Sequence, residues 1–194
     1  MHKNFVNKYY FIDNFDIKNI ENLDKRTSVI YRNYSSKVNS HEILIFRKIC
    51  KKRNIKFYLS NNLKLAIKLN CDGVYIPSFN KYTFTKGINF KKNFDILGSA
   101  HNLREIRHKE LQGVKTIFIS SIFKKNKNYL GLHRFKTLKR FTKKRIVGLG
   151  GINKNNLKYL KILELENFAG ISYFKKKPPQ WNCGGFMYFK LQTN

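Results

Sequence analysis

The chain has 194 residues, which is long enough for one domain with a substantial core and too short for two ordinary domains. Its 40 Lys and Arg residues against 11 Asp and Glu residues give a formal net charge of +29, which favours an anionic partner or reflects AT-rich nucleotide bias. Three scattered cysteines indicate neither a disulfide framework nor a zinc site, and we expect a cytoplasmic protein because no signal-peptide or membrane-span pattern is present.

Short runs of β-branched and aromatic residues recur along the chain. They are continuous rather than alternating, as expected of strands that are buried on both faces. The eight predicted strands cover residues 8–13, 27–32, 56–60, 73–77, 95–100, 116–120, 145–150 and 169–174.

Helical patterns lie between several of these strands. Asn39 with Glu42, and Asn102 with Glu105, form capping-box patterns ahead of apolar residues at helical spacing. Asn153 is expected to cap a third helix. Residues 61–70 form a fourth candidate helix. Gly113 is expected to end the second helix, the one that follows Asn102. The expected apolar faces comprise Ile43, Phe46, Ile49 and Cys50 in the first helix, Leu103, Ile106 and Leu111 in the second, and Leu157, Leu160 and Leu163 in the third.

The alternation of strands and helices predicts an α/β fold, a small (β/α)₈ TIM barrel, with an open doubly wound sheet as the alternative. We expect one domain over residues 1–194, with a core at about 8–176 and a C-terminal tail at 177–194. A helix is missing or shortened between the fourth and fifth strands. The same is expected after the eighth strand, where KKKPPQ stops a helix.

In such a barrel the active site lies where the strands end, often with a phosphate site in the last two loops. The segment GLGGIN after the seventh strand places Gly150, Gly151 and Ile152 there, ahead of a helix start, with Lys175 close to the end of the eighth strand. Exposed main-chain N–H groups at these positions would bind a phosphate. Alternatively, the glycines only permit a tight turn and close packing.

Polar residues follow other strands as well. Ser99 and His101 end the fifth strand and are candidates for phosphate binding or proton transfer, or else turn and spacer residues. Arg32 ends the second strand and suits a bidentate phosphate contact, or a salt bridge at the rim. Lys125 and Lys127, after the sixth strand, add positive charge or form a solvated face.

The order of these motifs resembles the thiamine phosphate synthase and TenI family of (β/α)₈ barrels. The matching phrases are NCDGVYIP (70–77), ILGSAHNLREI (96–106), SSIF (120–123), IVGLGGIN (146–153) and FAGISYF (168–174). The resemblance implies an enzyme of thiamine biosynthesis that condenses a hydroxymethylpyrimidine diphosphate with a thiazole phosphate and releases diphosphate. The implied mechanism is dissociative, through a pyrimidine carbocation that the thiazole nitrogen attacks.

The resemblance also implies roles for individual residues. Arg32 corresponds to the family's diphosphate-binding arginine, and Ser99 to the serine before its histidine. Gly151 corresponds to the glycine that holds the thiazole phosphate. Phe174 and Lys175 lie where the family has its final phosphate-binding pair. The implied partners are small phosphorylated substrates. No membrane partner is expected, and nucleic acid is a disfavoured partner.

The chain departs from the family pattern at the positions of the metal-binding carboxylates. The family's Mg²⁺ carboxylates correspond to Asn61 and Asn80, and a neutral amide is a weak ligand for a hard cation. Mg²⁺ is therefore a candidate cofactor that the residue types argue against. Lys125 and Lys127 stand in place of a threonine-rich motif, and their charge could stabilise the leaving diphosphate without a metal.

Three alternative functions follow from the sequence. A TenI-like thiazole tautomerase would use His101 to move a proton between ring carbon and ring nitrogen. A non-catalytic relative would only bind the phosphate ligand. A basic nucleic-acid-binding protein is a more remote alternative, which leaves the strand-end glycines and GSAHN without a role.

Overall fold

The computed structural model describes residues 5–15, 17–34, 39–83 and 88–175. Eight parallel strands pair in chain order, and the last pairs with the first, so that the sheet closes into a barrel. The predicted (β/α)₈ barrel is confirmed and the open sheet is wrong. The strands are β1 (Asn7–Ile12), β2 (Thr27–Tyr31), β3 (Phe57–Ser60), β4 (Gly73–Ile76), β5 (Asp95–Ala100), β6 (Thr116–Ile119), β7 (Arg145–Gly148) and β8 (Asn167–Gly170).

Three α-helices begin at an asparagine cap. The side chains of Asn39, Asn62 and Asn102 each accept a hydrogen bond from a main-chain N–H of the first turn. Asn153 caps a short 3₁₀ helix that leads into the last α-helix. The helices are α1 (Lys18–Glu21), α2 (Ser40–Lys52), α3 (Leu63–Lys68), α4 (Leu103–Leu111), α5 (Gly131–Arg140), the 3₁₀ helix Lys154–Asn156 and α6 (Leu157–Ile162).

The structure corrects three details of the sequence prediction. β8 covers Asn167–Gly170 and not residues 169–174, because the chain turns at Ile171, whose carbonyl accepts hydrogen bonds from the turn that follows. Leu103 and Leu111 are exposed, and Ile106 is the apolar residue that anchors α4. α5 was not predicted, since its first turn has no side-chain cap and Phe135 is its buried residue.

The core has two parts. Alternate strand residues fill the barrel interior, where aromatic rings such as Tyr9, Phe11, Tyr75 and Phe118 meet edge to face. The intervening strand residues point outward and pack against the helices. The interior is therefore filled, and ligands can reach only the two mouths of the barrel.

The connection from β4 to β5 contains no helix among its described residues, as predicted. Residues 171–175 form turns after β8, and the expected tail at 177–194 lies outside the described residues. In the described ranges, none of the helices has the length and apolar character needed to cross a membrane.

Candidate functional site

The C-terminal mouth of the barrel carries a layer of polar side chains. Because side chains alternate along a strand, the residues two positions beyond the interior core residues also face inward. Ser60, Ser99 and Ser120 occupy such positions, and all three are buried. The mouth is therefore lined by hydroxyl groups as well as by apolar side chains.

Arg32 and Lys175 line the same small cavity at this mouth. The cavity has a volume of about 280 Å³ and lies between the ends of β1 and β2 and the turn after β8. The N–H of Arg32 donates to the carbonyl of Ile12 at 2.7 Å, and its guanidinium carbon lies 4.9 Å from the centre of the Phe11 ring. Asp13 contributes one carboxylate to the lining. Closure of the barrel brings two cations, distant in sequence, to one anion-sized cavity.

The turn after β8 positions Lys175. The N–H groups of Phe174 and Lys175 donate to the carbonyl of Ile171 at 3.0 and 3.2 Å. The ring of Phe174 packs on Tyr10 with ring centroids 4.8 Å apart, and it lies against the hydrophobic core. Phe174 thus holds the turn in place, and its backbone is the part that a phosphate could contact.

Two of the buried serines pair with tyrosines. Ser99 is hydrogen-bonded to Tyr75, whose burial raises the pKa of its phenol. The Ser60 hydroxyl lies 2.9 Å from the hydroxyl of Tyr34. Tyr34 thus adds an uncharged hydrogen-bonding group beside Ser60.

His101 is held by two neighbours. Its main-chain N–H donates to a carboxylate oxygen of Glu105 at 2.7 Å. Its ring Nδ1 lies 2.8 Å from the carbonyl oxygen of Ser120 and 3.1 Å from the hydroxyl of the same residue. A carbonyl oxygen can only accept, so Nδ1 carries the proton and Nε2 is left as an acceptor. This arrangement fixes the ring orientation, and the shorter contact to the carbonyl favours the tautomer with the proton on Nδ1.

His101 lines a groove of about 650 Å³ that also contains Lys127 and residues of α5, among them His133 and Arg134. This groove does not share lining residues with the cavity of Arg32 and Lys175. Lys125 lies on the exposed part of the same loop. Four of the predicted site residues therefore line one of these cavities, Arg32 and Lys175 the first and His101 and Lys127 the second, and the others line neither.

The glycines after β7 pack against the loop after β6. Gly150 and Gly151 have φ angles of +103° and +75°. A Cβ at Gly150 would lie 2.4 Å from the hydroxyl of Ser121, and one at Gly151 would lie 2.7 Å from the N of Lys124. Packing alone therefore explains both glycines, as the second interpretation of the sequence predicts. The side chain of Ile152 is buried.

The main-chain N–H groups of this turn are nevertheless available. Within the described residues, none accepts a hydrogen bond from the N–H of Gly150, Gly151 or Ile152. The carbonyl of Gly150 is used, because it accepts from the N–H groups of Phe123 and Lys124. An anion bound at the turn would thus find unpaired donors.

The two candidate metal positions are hydrogen-bonded to each other. Asn80 Nδ2 donates to Asn61 Oδ1 at 2.7 Å, and Asn80 Oδ1 accepts from the N–H of Tyr82 at 3.0 Å. Each of these amide oxygens therefore already accepts one hydrogen bond. The described residues also contain no cluster of three or more His, Cys, Asp or Glu side chains suited to a metal. These residues fit Mg²⁺ poorly, because proteins usually hold this ion through at least one carboxylate and neither position supplies one.

Sequence reasoning missed a lysine beneath the mouth. Lys109 on α4 is fully buried, and its Nζ lies 2.8 Å from each of three oxygens: the carbonyls of Pro77 and Asn80 and the side chain of Gln112. Gln112 also donates to the carbonyls of Asn80 and Tyr82. Lys109 lies three residues after Ile106 and therefore on the same face of the helix. This spacing was the sequence signal that could have predicted its burial. It holds the loop that carries Asn80.

The chain is similar in sequence to known proteins over most of its length. The family model described as thiamine monophosphate synthase matches residues 21–174. The thiamine-phosphate synthase of Persephonella marina is 28% identical over 155 residues, which are 75% of this chain and 73% of the relative. That of Prochlorococcus marinus strain AS9601 is 31% identical over 126 residues, 62% of this chain but only 35% of the relative.

Solved structures agree on the fold. Thiamine phosphate pyrophosphorylase from Pyrococcus furiosus superposes with a TM-score of 0.71 at 19% identity, over 88% of this chain and 87% of that one. The enzyme of the same name from Bacteroides thetaiotaomicron superposes with a TM-score of 0.59 at 13% identity, over 86% of this chain and 83% of that one. The family predicted from the strand-end motifs is confirmed, and the chain belongs to the thiamine monophosphate synthase family.

Proposed function

We propose that this chain condenses a hydroxymethylpyrimidine diphosphate with a thiazole phosphate at the C-terminal mouth of the barrel, releasing diphosphate. Family membership supports the reaction class. The observation that carries the proposal is the convergence of Arg32 and Lys175 on one cavity of about 280 Å³. Two cations at an anion-sized cavity suit the binding of a phosphorylated substrate.

In this proposal the chain's own residues stabilise the departing diphosphate. The C–O bond between the pyrimidine methylene and the diphosphate breaks, and the thiazole nitrogen supplies the electron pair of the new C–N bond. Arg32, with its guanidinium fixed over Phe11, and Lys175 bind the developing negative charge. Lys125 and Lys127 belong to an exposed loop that can add charge once substrate is bound.

The test is formation of thiamine phosphate from the two substrates, with the Arg32→Ala variant beside wild type. Loss of a cation that acts on the leaving group should lower kcat about 100-fold or more. The matched control is Arg107→Ala, because Arg107 is an exposed arginine on α4 that pairs with Glu110. Equal activity of both variants would refute the role of Arg32.

Metal dependence is a separate test. Because the amide oxygens of Asn61 and Asn80 are already engaged, we expect product formation to persist when Mg²⁺ is replaced by a chelator. The variant Asn61→Asp/Asn80→Asp supplies two carboxylates and should gain Mg²⁺ binding in calorimetry. The control is Asn155→Asp, which places a carboxylate on an exposed residue of the 3₁₀ helix and should gain none. Strict Mg²⁺ dependence of the wild-type reaction would contradict the proposal.

A second candidate function is tautomerisation of the thiazole ring. It is favoured by the geometry of His101, whose Nδ1–H is held by the Ser120 carbonyl so that Nε2 is left to accept a proton. The amides at Asn61 and Asn80, in place of metal carboxylates, are also compatible with it. In this function His101 would remove a proton from ring carbon and return it to ring nitrogen.

The two functions are separated by following exchange of the thiazole ring proton with deuterated water. If the chain is a tautomerase, exchange proceeds without the pyrimidine substrate and is lost in His101→Ala. The matched control is His41→Ala, since His41 is an exposed histidine in the first turn of α2. Binding of thiazole phosphate without either reaction would identify a non-catalytic relative instead.

A cytoplasmic location is part of this proposal. It is supported by Cys50 and Cys71, which are buried and free. Burial raises the pKa of both thiols to about 12, so they are inert structural residues rather than reactive ones.

A further inference from the structure

The opposite mouth of the barrel contains a second polar cavity. Its volume is about 560 Å³, and its lining includes the first residues of several strands, among them Asn7 of β1, Asp95 of β5 and Arg145 of β7. It extends inward as far as Tyr9 and Leu97 of the interior core. The cavity thus enters the barrel from the N-terminal mouth, opposite to Arg32 and Lys175, and its size suits a small metabolite.

Positive charge is concentrated around this cavity. Asp95 is a carboxylate of the lining, and it is already engaged by Lys56 at 3.0 Å and by the Tyr58 hydroxyl at 3.1 Å. In the part of the chain that the structure describes, the other lining cations form no ion pair. These cations are Lys115, Lys143, Lys144 and Arg145.

A buried tyrosine points to a ligand in the same cavity. Tyr9 is 5% exposed and lines the cavity, and no described residue forms a hydrogen bond with its hydroxyl. Burial raises the pKa of this phenol to about 12, so it remains a neutral donor at physiological pH. Ser28 and Thr116, two further buried residues that carry hydroxyl groups, belong to the same lining. Hydroxyl donors in a positively charged recess suit an anion.

We propose that the N-terminal mouth is a second anion site that binds a small phosphorylated molecule, with the phosphate contacted by Tyr9, Lys144 and Arg145. The site lies at the opposite end of the barrel from the proposed reaction and does not depend on it. Five cations around one paired carboxylate repel one another, and a bound phosphate would relieve that repulsion.

A purely stabilising role does not explain the cavity. Stability at this end of a barrel would call for balanced charges, whereas the unpaired cations here oppose folding. Lysine abundance alone does not explain it either. A second cationic groove, lined by Lys25, Lys158 and Lys161 among others, has no buried residue in its lining, and it therefore offers only surface charge.

The test is calorimetry with sodium diphosphate at a fixed ionic strength of about 0.15 M. Wild type should bind at two sites. The variant Lys144→Gln/Arg145→Gln should weaken one of them at least about 10-fold, as expected when two charged hydrogen bonds are lost. Tyr9→Phe should weaken the same site about 5-fold. Its ring keeps the edge contact with Phe118, so folding is preserved.

Two controls make the outcome decisive. Lys158→Gln/Lys161→Gln removes the same charge from the surface groove and should leave both sites unchanged. Arg32→Ala/Lys175→Ala should abolish only the other site, so failure of the catalytic proposal is separable from failure of this one. A single site that is lost with Arg32 and Lys175 would overturn the inference. An equal effect of the Lys158 and Lys161 changes, or no binding at all, would also overturn it.

Discussion

At the scale of single residues, Lys109 shows how a charge can be buried although no acidic side chain of the described residues forms an ion pair with it. Three oxygens surround its ammonium, and two of them are main-chain carbonyls of the loop after β4. Hydrogen bonds to a charged donor are stronger than neutral ones, so they offset part of the desolvation cost. The lysine thus fixes a loop in which the described residues have no helix.

Lys109→Met should lower the free energy of unfolding by about 3 kcal/mol, because it removes three hydrogen bonds that a charged donor makes in a buried place. Urea unfolding at pH 7 measures this loss. Lys68→Met is the control, since Lys68 is an exposed lysine in the last turn of α3. Variants of equal stability would contradict the structural role of Lys109.

The same residue gives a prediction for pH. Burial lowers the pKa of Lys109 in the folded chain to about 8, from an ordinary 10.5, so the unfolded chain binds more protons between these values. Wild type should therefore gain unfolding free energy relative to Lys109→Met as pH rises from 8 towards 10.5, and no such gain should occur below 8. Unfolding curves at pH 7, 8 and 9.5 test the sign. A relative loss of stability on raising the pH would contradict it.

At the scale of elements, continuous apolar runs were sufficient to predict that all eight strands exist, because a parallel barrel buries both faces of each strand. The end of β8 was not predictable from composition. Ile171, Tyr173 and Phe174 have strand-like side chains, but the aromatic rings pack on Phe168 and Tyr10 from a turn. Tertiary packing overrode local β propensity there.

The sequence was sufficient to predict that the candidate site residues lie at the ends of strands. It was not sufficient to predict which of them share a cavity. Arg32 and Lys175 meet only because β1 pairs with both β2 and β8, which is a property of barrel closure. His101 faces a groove completed by α5, and that helix lacks the side-chain cap that would have marked it in the sequence. Local patterns specify elements, whereas shared cavities depend on how distant elements pack.

The junction between the β6 and β7 loops gives a second prediction on stability. Gly150→Ala should lower the free energy of unfolding by about 2–4 kcal/mol, because its Cβ would overlap Ser121 and its φ of +103° is strained for alanine. Gly170→Ala is the control: a Cβ there meets its nearest atom at 3.5 Å, an ordinary contact. Thermal unfolding of both variants measures the difference. Equal unfolding midpoints would show that the two loops can move apart to accommodate the added methyl group at little cost.

At the scale of the whole molecule, the net charge of +29 acts against folding. Ion pairs within the described residues are few and mostly exposed, so they offset little of the repulsion. The charge has a functional side as well. Both mouths of the barrel collect cations, which is the property that the two proposed anion sites share.

Screening of this charge should stabilise the chain. Raising NaCl from about 0.01 to about 0.2 M shortens the screening length from about 30 Å to under about 10 Å, so repulsion among distant lysines falls away. We expect a gain of about 1 kcal/mol in unfolding free energy, or roughly 2–4 °C in the thermal midpoint. Choline chloride at equal ionic strength should act alike, because screening does not depend on the cation. If the midpoint falls or stays constant with either salt, self-repulsion is not a significant cost to this fold.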